Sequence, residues 1–173
     1  MMPDYSRIKY IAMDVDGTMT DGGLIYDAKG NELKRFDVKD GLAVLMAIQA
    51  GYEFLVITGR VSAMVERRVK ELGIQHFITG AQLKFPAFRK WLEEQHASLE
   101  EVCYIGDDWN DLECMKAAGV SMCPGDAAPE VKKTSDYVAD AKAGYGAVRE
   151  CLEVVMKSAG VWEKTCERVY FEK

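Results

Sequence analysis

Three largely apolar runs of strand length, residues 8–13, 53–57 and 102–105, each stop at a polar cluster. The first ends in Asp14-Val15-Asp16-Gly17-Thr18, the second in Thr58-Gly59-Arg60, and the third in Gly106-Asp107-Asp108-Trp109-Asn110-Asp111. Burying a carboxylate is costly unless it is paired or bound to a metal, so these acids belong at strand ends facing a site. Between the runs lie stretches with apolar residues at helical spacing, such as Leu42, Leu45, Met46 and Ile48, or Met64, Val65, Val69 and Leu72. Strands alternating with helices call for an α/β fold, a doubly wound and mostly parallel sheet covered on both faces. Ligands bind such sheets beyond the carboxyl ends of the strands, so the three polar ends should converge on one site.

The remaining segments are shorter. Leu24-Ile25-Tyr26 and Leu33-Lys34-Arg35-Phe36 flank a Gly-Asn turn and read as a β-hairpin over about 22–37. Asp40 reads as the cap of the next helix, and Ser62 as the start of the one after. Helices are expected near 83–95, 112–118, 129–133 and 147–157, and short strands at 76–78, 120–123 and 137–139. Residues 1–160 read as a single domain, with 161–173 an unassigned C-terminal tail. A net charge of −6 argues against a nucleic-acid or anionic-membrane partner. No apolar run approaches the roughly 20 residues of a membrane span, and the start lacks a signal-peptide core. Five scattered cysteines without a CxxC pair fit reduced packing residues in a cytoplasmic protein.

Alternate residues of an extended chain point the same way, so Asp14 and Asp16 can reach one small volume. The plain alternative is a strand followed by an Asp-Gly turn. Gathered carboxylates repel unless a cation joins them, and oxygen-only ligands suit magnesium. His76 and His96 are isolated in sequence, and no His/Cys cluster suggests zinc. Magnesium, carboxylates, a hydroxyl and a Lys or Arg together suit phosphoryl transfer, in which a carboxylate can itself be the nucleophile. A second carboxyl two residues on could then protonate the leaving group and activate water.

The segment 14–18, the strand-ending Thr58, Lys84, and the segment 106–111 resemble the four ordered motifs of the haloacid dehalogenase-like hydrolases. That resemblance implies Asp14 as nucleophile and Asp16 as general acid/base, with Thr58 and Lys84 binding the transferring phosphoryl group. It implies magnesium held by Asp14, the backbone carbonyl of Asp16, and Asp107, with Asp108 and Asp111 supporting from behind. On its own, Lys84 at a helix start could equally be a solvated lysine. The family usually inserts a cap domain after its first or second motif. Here 18–58 and 58–84 are too compact to hold one, which implies a capless member.

A closer similarity runs from about residue 8 to 156. Asp21-Gly22-Gly23-Leu24-Ile25-Tyr26, Phe36-Asp37-Val38-Lys39-Asp40-Gly41, Thr58-Gly59-Arg60 and Gly144-Tyr145-Gly146-Ala147-Val148-Arg149-Glu150 resemble the 3-deoxy-D-manno-octulosonate 8-phosphate phosphatases. The resemblance implies a sugar-acid phosphate substrate contacted by Gly59 and Arg60, and a place in lipopolysaccharide biosynthesis. It also implies a homotetramer in which hairpins pack together and the C-terminal segment, marked by Gly144, Gly146 and Arg149, reaches a neighbour's site. Ala143 stands where the tail pattern usually carries a first glycine. The rival readings are a phosphatase of a nine-carbon keto-sugar acid phosphate, which Arg60 disfavours, and a non-catalytic tetramerisation module, against which the acids and lysine of the chemistry are all present. A phosphomutase would share the Asp-x-Asp opening but would need a cap to retain its intermediate.

Overall fold

The computed structural model describes residues 3–171. In chain order the elements are β1 (Tyr10–Met13), β2 (Ile25–Tyr26), β3 (Glu32–Leu33), α1 (Val38–Gln49), β4 (Glu53–Ile57), α2 (Ala63–Glu71), β5 (His76–Ile78), α3 (Lys84–Gln95), β6 (Val102–Ile105), α4 (Leu112–Ala117), β7 (Val120–Cys123), α5 (Pro129–Thr134), β8 (Tyr137–Val138), α6 (Ala147–Ser158) and α7 (Trp162–Cys166). The main sheet has the order β5-β4-β1-β6-β7-β8 and every pairing in it is parallel. β1 is bonded to β4 on one side, with Met13 opposite Val56, and to β6 on the other, with Met13 opposite Ile105. This register brings the ends of the three apolar runs level with one another. The strand order reverses at β1, the place where sheets of this type bind ligands.

Two apolar layers cover the sheet. On one face α1, α2 and α6 bury Val44, Val65, Val69, Leu152 and Val155 against Ile11, Met13 and Phe54. On the other, α3, α4 and α5 bury Phe88, Trp91, Met115 and Val131 against Leu55, Ile57 and Tyr104. The aromatic stripe of α3 is core: Phe88 meets Tyr104 edge-on at 5.6 Å and Trp91 meets Tyr10 at 5.4 Å. The hairpin β2–β3 stands apart as a two-stranded antiparallel sheet, and among the described residues no cap domain intervenes.

Some expected details differ. The cap of α1 is Asp37, whose side chain accepts from Lys39 N and Asp40 N, so the helix begins at Val38. Asp40 lies inside the first turn, buried, and accepts instead from Arg149 N at 2.7 Å, tying α1 to α6. Ser62 precedes α2 but makes no capping bond, because its hydroxyl donates to Glu32. The tail has structure: α7 packs Val161, Trp162 and Cys166 onto the core, and Trp162 lies 5.3 Å beneath the Arg149 guanidinium. All five cysteines are free and four are buried. No helix among the described residues is long and apolar enough to cross a membrane.

Candidate active site

The carboxyl ends of β1, β4 and β6 open on a cleft of about 150 Å³ lined by Asp14, Asp16, Thr58, Gly59, Arg60, Asp107, Asp108 and Asn110. That is smaller than the ~300–1,000 Å³ of sites enclosing a drug-sized ligand. Its volume suits a small polar group and a cation more than a whole organic ligand.

Asp14, 5 % exposed, follows the last residue of β1 and its amide donates to Ile105 O, so the nucleophile candidate is fixed by the sheet ladder itself. Lys84 opens α3 from across the site and is not solvated: its side chain is fully buried. Its Nζ lies 2.7 Å from Asp14 Oδ1 and 2.7 Å from Asp111 Oδ1. Asp111 is also fully buried. Its Oδ1 accepts from the Tyr104 hydroxyl at 2.9 Å and its Oδ2 from Asp107 N at 3.2 Å. Asp107 Oδ1 accepts from the Thr18 hydroxyl at 2.9 Å. Thr18 therefore orients an acid.

Gly17 explains why no side chain follows Asp16. Its φ is +95°, and a Cβ there would sit 2.1 Å from Asp107 Oδ2. The loop after β4 is held by side chains outside it: Gln82 Nε2 donates to Gly59 O at 2.9 Å and the Thr79 hydroxyl to Arg60 O at 2.7 Å. Within the loop Thr58 Oγ1 accepts from Arg60 N. Asp108 lines the cleft and takes Trp109 N at 2.8 Å.

One oxygen from each of Asp14, Asp107 and Asp111 can be chosen so that all three lie within 4.8 Å of one another. Burial pushes Asp14 up to about 6, the Asp111 charge adds to this, and Lys84 opposes it. Burial pushes Asp107 up to about 8, with Asp14 and Asp111 adding repulsion. Lys84 suffers desolvation, yet Asp111 and Asp14 together raise it above the ordinary lysine value. An acidic, oxygen-only pocket whose acids resist ionisation fits a hard divalent cation such as magnesium. Both Asp111 oxygens are already engaged by Lys84, Tyr104 and the loop amide, which leaves Asp14 and Asp107 as the side chains free to hold it.

Two hairpin residues that sequence reasoning missed also reach the site. Lys34 pairs with Asp16 Oδ1, and Glu32 takes Arg60 Nη2 at 2.6 Å and the Ser62 hydroxyl at 3.2 Å. Gly144, Gly146 and Arg149 are not among the cleft-lining residues. Within the chain they fix the start of α6, where Gly144 O accepts from Arg35 Nη1 at 2.6 Å and Gly144 packs against the backbone of Thr20 and Asp21.

A parallel sheet with Asp14 at the end of β1 at the switch point, and Thr58, Lys84 and Asp107 around it, has the arrangement of a haloacid dehalogenase-like hydrolase, and the family model described as haloacid dehalogenase-like hydrolase matches residues 80–152. The chain is 37% identical over 160 residues to the 3-deoxy-D-manno-octulosonate 8-phosphate phosphatase of Haemophilus influenzae, spanning 92% of this chain and 89% of that one. The corresponding phosphatase structure from Moraxella catarrhalis, in complex with magnesium, phosphate and KDO, superposes with a TM-score of 0.90 at 39% identity, covering 92% of each chain. That from Yersinia pestis gives 0.89 at 34% identity, covering 92% of this chain and 86% of that one. The chain belongs to this family of capless haloacid dehalogenase-like phosphatases.

Proposed function

We propose that the protein is a magnesium-dependent phosphatase that hydrolyses 3-deoxy-D-manno-octulosonate 8-phosphate to the free sugar acid and inorganic phosphate. The observation that carries this is the buried Asp14–Lys84–Asp111 arrangement beside Asp107 at the switch point, in a chain alike over most of its length to phosphatases of that substrate.

Asp14 attacks phosphorus, the bond from phosphorus to the sugar oxygen breaks, and Asp16 gives the departing oxygen its proton. The product is an aspartyl-phosphate on Asp14. Asp16 then takes a proton from water as that water attacks phosphorus, returning Asp14 as a carboxylate and releasing phosphate. Lys84 and Thr58 hold phosphoryl oxygens while Asp111 keeps Lys84 aimed. Asp14, Asp107 and the carbonyl of Asp16 would hold magnesium, which would supply positive charge to neutralise the phosphoryl oxygens. Asp108 and Asp111 support that cluster from behind. Gly59 and Arg60 face the sugar acid, Arg60 offering a planar fork to a carboxylate.

Up to about residue 160 the chain reads as the catalytic domain, with α7 docked beside it. A cytoplasmic homotetramer in lipopolysaccharide biosynthesis is the setting this reading implies. The exposed apolar residues of the hairpin, Leu24, Ile25, Tyr26 and Leu33, support packing between copies. The deciding experiment is a phosphate-release screen over sugar phosphates with magnesium, including the eight- and nine-carbon keto acids. Preference for the eight-carbon acid is expected. Preference for the nine-carbon acid would move the substrate, and no hydrolysis of any phosphate would leave only the assembly-module reading.

A further inference from the structure

The hairpin turns its apolar residues out and one lysine in. Leu24, Ile25, Tyr26 and Leu33 are each more than half exposed, whereas the Lys34 side chain is 1% exposed. A buried ammonium is costly unless carboxylates surround it. Lys34 has two: Asp16 Oδ1, with which it pairs directly, and Glu32 Oε1 at 3.6 Å. Glu32 is in turn anchored by Arg60 and Ser62. The other Asp16 oxygen, Oδ2, is buried without a hydrogen-bond partner, and Arg60 Nε stands off at 3.8 Å. The two oxygens of one carboxylate are thus in different situations, one clamped by Lys34 and one without a hydrogen bond.

We infer that Lys34 is a positioning residue for Asp16: the hairpin clamps Oδ1 and so presents Oδ2 as the atom that exchanges a proton with the leaving oxygen. The inference rests on Asp16 being the general acid/base. Proton transfer needs the donor held at hydrogen-bond reach and in line, and an unclamped carboxylate would turn between alternatives. The hairpin then contributes to the chemistry of its own chain as well as offering an exterior surface.

The test compares kcat/KM, which reports steps up to the first departure of the leaving group, for three substrates at saturating magnesium. These are the eight-carbon keto-acid phosphate, a sugar phosphate without a carboxylate (ribose 5-phosphate), and p-nitrophenyl phosphate, whose leaving group departs without a proton. Lys34→Met is expected to lower kcat/KM about 10–100-fold for both sugar phosphates and by less than about 3-fold for the aryl ester. Lys34→Arg should recover most of the loss, and thermal melts confirm folding. Asp16→Ala is the control and should show the same split, larger. A split with Asp16→Ala but equal losses on all substrates with Lys34→Met, or none, would overturn the clamp. A loss confined to the keto-acid phosphate would also overturn it, making Lys34 a contact for the substrate carboxylate. If Asp16→Ala shows no split, the acid/base reading itself fails.

Discussion

Lys84 and Asp111 form an ion pair at 2.7 Å in which neither side chain is exposed. Removing one partner of such a pair leaves an uncompensated buried charge, at a cost of about 3–5 kcal/mol. Lys84→Met should therefore lower stability by about that much and reduce turnover by ~10²-fold or more, since it strips a cation from the developing phosphoryl charge. Denaturant titration and steady-state kinetics check the two parts separately. A variant of wild-type stability would mean that water reaches the pair.

Asp14→Asn should abolish phosphate release and leave fold and assembly intact. It removes one of three crowded acids, so the melting temperature is expected to hold or rise. Acid-quenched wild-type enzyme should carry phosphate on Asp14, and the variant none. Near-normal turnover would sink the covalent mechanism.

Proton linkage gives a pH signature. Asp14 at about 6 and Asp107 at about 8 lie above the ordinary aspartate value of 3.8, so the folded state without metal binds more protons than the unfolded chain. Stability without metal should then fall as pH rises from about 4 towards 8. Magnesium must displace those protons, so its affinity should climb with pH and level off above about 8. Calorimetry in two buffers of different ionisation heat should detect more than one proton released per ion near pH 6 and almost none near pH 9. The same release at both would contradict the raised values.

The tail separates two truncations. Ending the chain at Ala139 deletes α6, with Val148, Cys151, Leu152, Val155 and Met156 from the core, and should prevent folding. Ending it at Gly160 removes only α7 and the last few residues beyond it, at a cost of about 2 kcal/mol, or a fall of ~4–8 °C in melting temperature. Well below that temperature, altered turnover in the shorter chain would indicate that its end reaches a neighbour's site. Unchanged kinetics would exclude a role for residues beyond Gly160 at a neighbour's site, while the segment marked by Gly144, Gly146 and Arg149 stays in the shorter chain.

The strands and the Asp14–Asp107 pairing were legible because a carboxylate at the end of an apolar run is a local conflict with few resolutions. Lys84 was legible only through its order among the motifs, since a lysine at a helix start carries no mark of burial. Tyr104 sits in a run of packing residues, and nothing in Val-Cys-Tyr-Ile says that its hydroxyl will meet Asp111. Lys34 and Glu32 look like the polar half of an exposed hairpin, and their partners lie 18 and 28 residues away. Asp37 and Asp40 are both plausible caps three residues apart, and only the docking of α6, which claims Asp40, decides between them. The segment after Gly160 was illegible because its few apolar residues find their surface only once α1 and α6 are together.

β1 lies between the two other strands that carry the site: β4, from the first half of the chain, pairs on one side and β6, from the second half, on the other. Asp14 and Asp107 stand 93 positions apart in sequence and come within ligand distance of one another when the β1–β6 seam is zipped, while Thr58 joins them only through the β1–β4 seam. A collapsed chain with the β1–β6 seam open has helices and a core but nowhere to put a metal, and one with the β1–β4 seam open lacks Thr58 beside it. Phosphate release is therefore also a clock for folding, and its onset after dilution from denaturant should date the joining of the sheet's two halves, well after compaction has finished.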